Sequence, residues 1–526
     1  MNRRTAIALA LSPALPALAA PKPKLVLAIM VDQFRYDYLV RFRSEYKGGL
    51  DRLLTRGAVF TNAQYEHFPT VTAIGHSTFL SGATPSISGI IGNDWFDRAS
   101  GKTVTSVEDS RVRQLGGSGN KGASPHRLLV STVGDELKIA TESKARVIGI
   151  SLKDRSAILP VGHMADGAFW LDSRTGQFVS STFYFPDLPA WVKDFNGGKP
   201  ADQYLGAKWD LKPYANTVHE LSTTADEKFY NSLAPTPYGN ELIEALAERA
   251  IVSERLGRGP ATDLLALSFS SNDYVGHDKG PDSPEVHSIS VHTDRLLDKL
   301  FHYVDAQVGM QNVLVVLSAD HGVAPLPEVT ASRRMPGGRM PAKIIQDTVK
   351  TKLSEKFGEG QWILSPSDHS LYLNRPLIQQ KVLDEREVQR VAAEAAASVP
   401  HVARVYTRSR LASSTQMEDA VGRRVLNGYH DGRGADLMIV LDPYWMYSSK
   451  GTTHGSPYAY DTHVPLILMG PGVKPGGYSN GVAVNDIAPT VARLVEADLP
   501  SGSVGRVLTE ALAPGPLPST SKSNGR

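Results

Sequence analysis

The 526-residue sequence contains no cysteine, and this absence limits the chemistry open to the protein. Disulfide bonds, zinc sites built from thiolates and cysteine nucleophiles are all excluded. Any metal ion must therefore be held by histidine and carboxylate side chains. That ligand set suits zinc in a catalytic role.

The chain also lacks an excess of charge and has few long apolar runs. The formal net charge is +2, which argues against a nucleic-acid or membrane partner. Beyond the N-terminus, no stretch of sequence is long and apolar enough to span a bilayer. We therefore expect a soluble protein, monomeric, whose partners are small molecules.

The N-terminus has the pattern of a secretory signal peptide over residues 1–19. Arg3 and Arg4 precede an apolar stretch at 6–18, and residues 17–19 form an A-x-A cleavage site. A short membrane anchor is the alternative, and the arginine pair leaves export by the general or the twin-arginine route open. The sequence predicts a periplasmic or secreted protein.

The length exceeds that of one ordinary domain, so one large domain with insertions, or two to three domains, is expected. The catalytic domain is predicted over 20–512. Residues 156–235 are predicted to be an irregular insertion near the active site, and 331–435 an inserted α+β subdomain. Residues 436–442 and 464–469 are then expected to return to the core. Residues 513–526 have the composition of a disordered tail.

Four short apolar runs have the pattern of strands buried on both faces of a parallel sheet: 25–31, 263–269, 312–318 and 464–469. Acids and histidines stand next to these runs: Asp32, Asp273, His277, Asp320, His321 and His454. Ligands of open α/β sheets bind just outside the carboxyl ends of the strands. The pattern predicts an α/β fold with a mostly parallel sheet and one metal centre shared by distant parts of the chain.

A threonine stands at the predicted start of a helix after Pro69. If the helix begins at Thr72, its first N–H groups favour an anion, and the Thr72 hydroxyl is well placed to attack phosphorus. The alternative is that Thr70 or Thr72 only caps the helix.

Two cations follow the predicted core strand at 145–151. Lys153 and Arg155 stand two residues apart, and in an extended segment they would point the same way. The alternative is a solvated surface pair.

These motifs together resemble a known family. Thr72-x-x-Gly-His76, followed by Gly82-Ala-Thr-Pro-Ser and Asn93-Asp-Trp-Phe-Asp97, is similar to the nucleophile region of the alkaline phosphatase superfamily. The branch contains nucleotide pyrophosphatase/phosphodiesterases and secreted bacterial alkaline phosphatases that use threonine. The resemblance runs from residue 25 to about 491 and implies a three-layer α/β sandwich with a mostly parallel central sheet.

The resemblance also implies a two-zinc site. One ion, which faces the leaving group, would be held by Asp273, His277 and His454. The other would be held by Asp32, Asp320 and His321 and would also take the oxygen of Thr72. Neighbouring histidines such as His76 and His463 are expected to have supporting roles.

The implied reaction has two steps and passes through a phosphothreonine on Thr72. Asn93 would donate a hydrogen bond to the phosphoryl group. Lys153 and Arg155 would contact its non-bridging oxygens, as the corresponding pair does in monoesterases of the family; the phosphodiesterases lack that pair.

Charge then favours one substrate class. Two zinc ions and three carboxylates together carry a net charge of about +1, and Lys153 and Arg155 raise the charge of the site to about +3. A monoester dianion and the Thr72 alkoxide together carry about −3, so the charges balance. The prediction is a metal-dependent alkaline phosphatase acting on phosphate monoesters. The first alternative is a nucleotide pyrophosphatase/phosphodiesterase; a different class is a secreted, non-catalytic scaffold with a degenerate fold.

Overall fold

A computed structural model describes residues 22–367 and 369–513. The predicted signal peptide and the predicted tail from residue 514 onward lie outside this part of the chain. Within it, no helix is both long enough and apolar enough to cross a membrane.

The centre of the molecule is an eleven-stranded sheet. Its strands, in order across the sheet, are Gly476–Tyr478, Ala58–Gln64, His463–Met469, Val313–Ser318, Leu25–Val31, Asp263–Phe269, Val147–Ser151, Gly167–Asp172, Gln177–Ser181 and Gln114–Leu115, with Val482–Ala483 paired to Ala58–Gln64. The middle of the sheet is parallel, because Leu25–Val31 pairs in parallel with a neighbour on each side. The predicted α/β class with a mostly parallel sheet is confirmed.

The central strands form because they are short apolar runs with no polar face. All seven residues of Leu25–Val31 and of Asp263–Phe269 are buried. Two groups of helices cover the sheet as the outer layers of a sandwich. One group comprises Gly49–Arg56, Pro237–Ser253 and Pro284–Val308; the other comprises Thr72–Ser81, Val133–Ala140, Asp154–Ile158 and Ile487–Val495.

A second sheet forms the inserted subdomain, with its own apolar core. Its four antiparallel strands, in order, are Ile363–Ser367, Ser370–Leu373, Leu437–Leu441 and Val402–Thr407. Its helices are Ala342–Phe357, Arg375–Gln380, Glu385–Ala397 and Arg408–Ser413. The prediction that 436–442 return to the core is wrong, since Leu437–Leu441 is an inner strand of this sheet. A buried apolar run does not say which of two sheets it joins.

Residues 156–235 are more regular than the sequence suggests. Gly167–Asp172 pairs in parallel with Val147–Ser151 and extends the central sheet, and Gln177–Ser181 follows as an antiparallel neighbour. The rest of the region contains the helices Ala190–Gly197 and Glu227–Leu233 and the strand pair Lys208–Asp210 and Val218–Glu220. The two sheet strands were missed because they are short and surrounded by Pro, Gly and Asp.

Shorter elements complete the chain. Two further strand pairs lie outside the larger sheets: Asp94–Asp97 with Lys102–Thr105, and Gly338–Arg339 with Trp445–Met446. The other α-helices of the described residues are Tyr36–Arg41, Pro85–Ser88, Ser271–Lys279, Pro327–Ser332, Ala420–Gly428 and Ala459–Thr462.

Candidate metal centre and nucleophile

The candidate nucleophile stands at the first residue of a buried helix. The helix Thr72–Ser81 begins at Thr72, and its N-cap is Val71, which makes no capping bond with its side chain. The Thr72 hydroxyl lies 3.5 Å from His321 Nε2. Thr70 uses its own hydroxyl to donate to the Ser456 carbonyl. Neither threonine is therefore the N-cap of this helix.

Three carboxylates meet at the carboxyl edge of the sheet. Asp32 directly follows Leu25–Val31, and Asp320 lies just beyond the adjacent strand Val313–Ser318. Asp273 is carried by the helix Ser271–Lys279, which begins after Asp263–Phe269. All three side chains are buried. Their positions follow from the parallel order of three neighbouring strands, whose ends lie at one edge.

The histidines join these acids in two overlapping groups of possible ligands. Asp273, His277 and His454 form one group, and Asp32, Asp273 and His321 form the other; within each group the ligand atoms lie within 4.8 Å of one another. Asp320 Oδ2 lies 3.3 Å from His321 Nε2, so Asp320 adjoins the second group. All six predicted ligands therefore lie together, with Asp273 between the two groups.

Each of the three histidines is oriented by a backbone carbonyl. The Nδ1 atoms of His277, His321 and His454 lie 2.8–2.9 Å from the carbonyl oxygens of Thr452, Gly322 and Thr70. A carbonyl only accepts hydrogen bonds, so Nδ1 carries the proton. The Nε2 lone pair is thereby left for a metal ion, and Nε2 is the atom that faces the carboxylates in each case.

The environment sets the charge of these rings. Burial lowers the pKa of His321 to about 4 and holds that of His454 well below its usual value, so both are neutral, as metal ligands must be. Burial also opposes the charged form of His277, but the Asp273 carboxylate outweighs it and raises the His277 pKa to about 9. Metal binding at His277 would therefore release a proton near neutral pH.

Two of the buried carboxylates have oxygen atoms that a bound cation would pair. Asp32 Oδ1 and Asp320 Oδ2 are buried without a hydrogen-bond partner among the described residues. Burial and the neighbouring Asp320 raise the pKa of Asp32 to about 8. Like charges this close resist joint ionisation unless cations lie between them. The donor set, with two neutral imidazoles, a third that gives up its proton on binding and clustered carboxylates, fits two divalent metal ions.

Of the two predicted cations, the structure brings Lys153 into this cluster. Its Nζ lies 2.6 Å from both Asp32 Oδ2 and Asp273 Oδ2, and 5.0 Å from the ring centre of Tyr274. Burial opposes the charge of Lys153, but the two carboxylates outweigh it and raise the Lys153 pKa.

Arg155 is placed differently. Lys153 is extended, as predicted, but Arg155 belongs to the helix Asp154–Ile158, so the expected extended segment does not exist. The Arg155 side chain is 26% exposed and lies 4.0 Å from Asp154. Its charge still acts on Lys153, whose pKa it lowers. Arg155 therefore adjoins the site without a described contact to the acids.

Asn93 lines the cavity beside the cluster, and its amide oxygen is already engaged. Its Oδ1 accepts a hydrogen bond of 2.9 Å from the Ala73 backbone N–H, at the start of the Thr72–Ser81 helix. Because the oxygen is used in this way, the NH₂ group is left to donate to a ligand. Asn93, His277 and His454 all line one cavity of about 440 Å³.

Gln33 is a site residue that the sequence did not reveal. Its backbone N–H donates to Asp320 Oδ1 at 3.0 Å, and its Nε2 donates to Asp273 Oδ1 at 2.6 Å. Its φ of 59° lies in the left-handed region, which turns the backbone back towards the cluster. The sequence offered only the position of this glutamine next to Asp32. No motif with a defined spacing includes it, so its role could not be predicted.

The two histidines expected in supporting roles lie in different places. His76 is buried beneath the site, with Nδ1 2.9 Å from the Thr72 carbonyl and 3.3 Å from Asp320 Oδ2. His463 stacks on Tyr36 and lies 2.9 Å from the Thr61 carbonyl, outside the two ligand groups.

Comparison with known proteins agrees with this geometry. A Myroides odoratus protein named "Calcium-transporting ATPase" is 38% identical over 93% of this chain and 95% of its own length. Alkaline phosphatase PafA of Elizabethkingia meningoseptica is 37% identical over 94% of this chain and 95% of its own. The crystal structure of wild-type alkaline phosphatase PafA superposes with a TM-score of 0.88 at 36% identity, covering 94% of this chain and all of that one.

A family match spans the site. Residues 26–464 match the family described as type I phosphodiesterase / nucleotide pyrophosphatase, a range that includes every predicted metal ligand and Thr72. The long match and the similarity of whole chains lead to one assignment. This chain belongs to the type I phosphodiesterase / nucleotide pyrophosphatase family.

Proposed function

We propose that this protein is an alkaline phosphatase that hydrolyses phosphate monoesters, with Thr72 as its nucleophile. The observation that carries the proposal is the convergence of three kinds of group at one point. The Thr72 hydroxyl lies near His321, and the Lys153 ammonium bridges Asp32 and Asp273. Asn93 binds the first turn of the Thr72 helix, so all three groups adjoin the six candidate ligand side chains. The name and the similarity of PafA over 94% of this chain support the same activity.

The six side chains would hold two divalent metal ions, which we propose to be zinc. The residues concerned are Asp32, Asp273, Asp320, His277, His321 and His454, and Thr72 would contribute its oxygen. When bound, such ions neutralise phosphoryl charge and lower the pKa of a nearby hydroxyl. The absence of cysteine and the histidines that turn Nε2 towards the carboxylates, two of them neutral, support zinc.

The residues of the chain perform the remaining work. The Thr72 hydroxyl gives up its proton as its oxygen forms a bond to phosphorus. The bond between phosphorus and the ester oxygen breaks, and the leaving oxygen takes up a proton to give the alcohol and a phosphothreonine. The oxygen of a water molecule then forms a bond to phosphorus as the bond to the Thr72 oxygen breaks, which releases phosphate and returns a proton to the Thr72 hydroxyl. The Asn93 NH₂ donates a hydrogen bond to a phosphoryl oxygen. Removal of a preorganised donor of this kind lowers the rate by about 10²–10³-fold.

The charge of the site favours a monoester over a diester. Lys153 is buried at the cluster, with its side chain 4% exposed, and Arg155 adds positive charge beside it. A monoester dianion gains more from these cations than a diester, which carries one negative charge less. The alternative is a phosphodiesterase or nucleotide pyrophosphatase, activities that the family description also covers.

The test compares the two ester classes directly. Zinc-loaded protein is assayed for kcat/KM with p-nitrophenyl phosphate and bis-p-nitrophenyl phosphate, with the double variant Lys153→Ala/Arg155→Ala alongside. We expect a large preference for the monoester that collapses in the double variant. A preference for the diester that the substitutions leave unchanged would identify a phosphodiesterase.

We also propose that the protein is exported and cleaved after residue 19, on the signal-like pattern of its N-terminus. Mass spectrometry of the N-terminal peptide from the periplasmic or culture fraction would test this. A full-length N-terminus in the cytoplasmic fraction would contradict it.

A further inference from the structure

The cavity that opens onto the metal-ligand cluster is built by two parts of the chain. Asn93, His277 and His454 line it beside the metal-ligand cluster. Trp95 and Phe96, from the strand Asp94–Asp97, line one wall, and Tyr372 of the inserted subdomain lies against Phe96 with ring centres 5.5 Å apart. A volume of about 440 Å³ accepts an aryl or nucleoside-sized group.

The charge of this cavity is one-sided. Among the described residues that line it, histidines apart, only Asp94 carries a full charge. Asp94 is exposed and has no ion-pair partner in the described part of the chain. Burial is the main cause of the raised pKa of Tyr372, and the Asp94 carboxylate contributes to it, so its field reaches the cavity.

The nearby arginines are engaged by other partners. Arg98 lies over the Tyr372 ring and binds Asp436 and the Leu373 carbonyl. Its charge acts on the Tyr372 hydroxyl with the sign opposite to that of Asp94, and the paired Asp436 carboxylate counters it there. Arg433 lies over the Trp95 ring and donates to backbone carbonyls, and neither arginine lines the cavity.

We propose that this cavity receives the leaving group of the ester and selects uncharged, aryl- to nucleoside-sized alcohols over anionic ones, with Asp94 as the discriminating residue. The inference rests on the proposed phosphatase function. A leaving group that carries a sulfonate, a carboxylate or a second phosphate meets the Asp94 charge at the mouth of the cavity. A neutral group of the same size meets only aromatic and small polar surfaces.

The test uses two aryl phosphates whose phenols have matched pKa values, so that intrinsic reactivity is equal. One carries a neutral para substituent and the other a sulfonate. We expect zinc-loaded wild-type protein to favour the neutral ester in kcat/KM by about three- to tenfold, the effect of two unit charges about 4 Å apart that are screened by water. In Asp94→Asn the ratio should fall towards one, and in Asp94→Lys it should invert.

A matched control lies on the same strand. Asp97 loses the same charge in Asp97→Asn, but it does not line the cavity, and its carboxylate accepts from the backbone of Ala99 and Ser100. This variant should keep the wild-type ratio. A wild-type ratio near one, or a ratio unchanged in Asp94→Asn, would overturn the inference while leaving the phosphatase function intact. Hydrolysis of neither ester by protein with bound zinc would instead overturn the proposed function.

Discussion

Gln33 offers a sharp test of how the candidate metal centre is held together. Its amide donates to Asp273, the carboxylate between the two ligand groups, at 2.6 Å. The variant Gln33→Met keeps the size of the side chain and removes this donor. The space for it exists because residue 276 is a glycine; a Cβ there would lie 1.8 Å from Gln33 Oε1.

The expected effect follows from one hydrogen bond to a charged acceptor, which contributes about 1.5–3 kcal/mol. A loss of this size corresponds to a zinc affinity about 10- to 100-fold weaker. Zinc affinity is measured by competition with a chromogenic chelator, and kcat/KM at saturating zinc is measured beside it. We expect most of the activity to return once zinc saturates the variant.

The matched control is Gln389→Met in the inserted subdomain. Gln389 is also buried, and its amide donates a hydrogen bond to the Glu385 carboxylate at 3.0 Å, but it lies on a helix of the inserted subdomain. The zinc affinity of this variant should equal that of the wild-type protein. If Gln33→Met also binds zinc as tightly as wild type, Asp273 is oriented without the amide and the reasoning fails.

Two further predictions concern pH and metal removal. Burial raises the pKa of Asp461 from 3.8 to about 7, so between about pH 4 and 7 the folded state holds a proton that the unfolded state releases. The free energy of unfolding therefore falls as pH rises through this window. Asp461→Asn should make that slope shallower by about one proton in urea titrations at several pH values; an unchanged slope would show that Asp461 is ionised when folded. Chelation of zinc should abolish phosphatase activity and lower the Tm, because bound ions stabilise the folded state by mass action. A non-catalytic scaffold would purify without stoichiometric zinc and keep its Tm.

The structure brings the six predicted ligands together, whereas one of the predicted core strands belongs to the other sheet. The strands Leu25–Val31 and Asp263–Phe269 were recognised because each is a continuous apolar run, buried on both sides. The acids that follow them needed no further information, since parallel strands end at one edge of a sheet. Leu437–Leu441 has the same apolar pattern and was placed in the wrong sheet, because pairing partners are set by the tertiary fold.

Other features depend on backbone angles that no residue pattern in the sequence indicates. Lys153 and Arg155 were expected to share one extended segment, but a helix begins between them at Asp154, so only Lys153 is extended. Gln33, which donates to two of the candidate ligand carboxylates, has a φ of 59°. A positive φ is common at glycine and rare at glutamine, so residue type gave no indication of it.

The anchoring of the three histidines has a consequence for how the site tolerates change. Their tautomers depend on main-chain oxygens, and two of these oxygens belong to Thr70 and Thr452. Replacement of either threonine side chain leaves its carbonyl in place. The position of the proton on each of these histidines is therefore set by the backbone of the loops. We expect it to be kept when neighbouring side chains are substituted, and to be lost when a residue is inserted into or deleted from these loops.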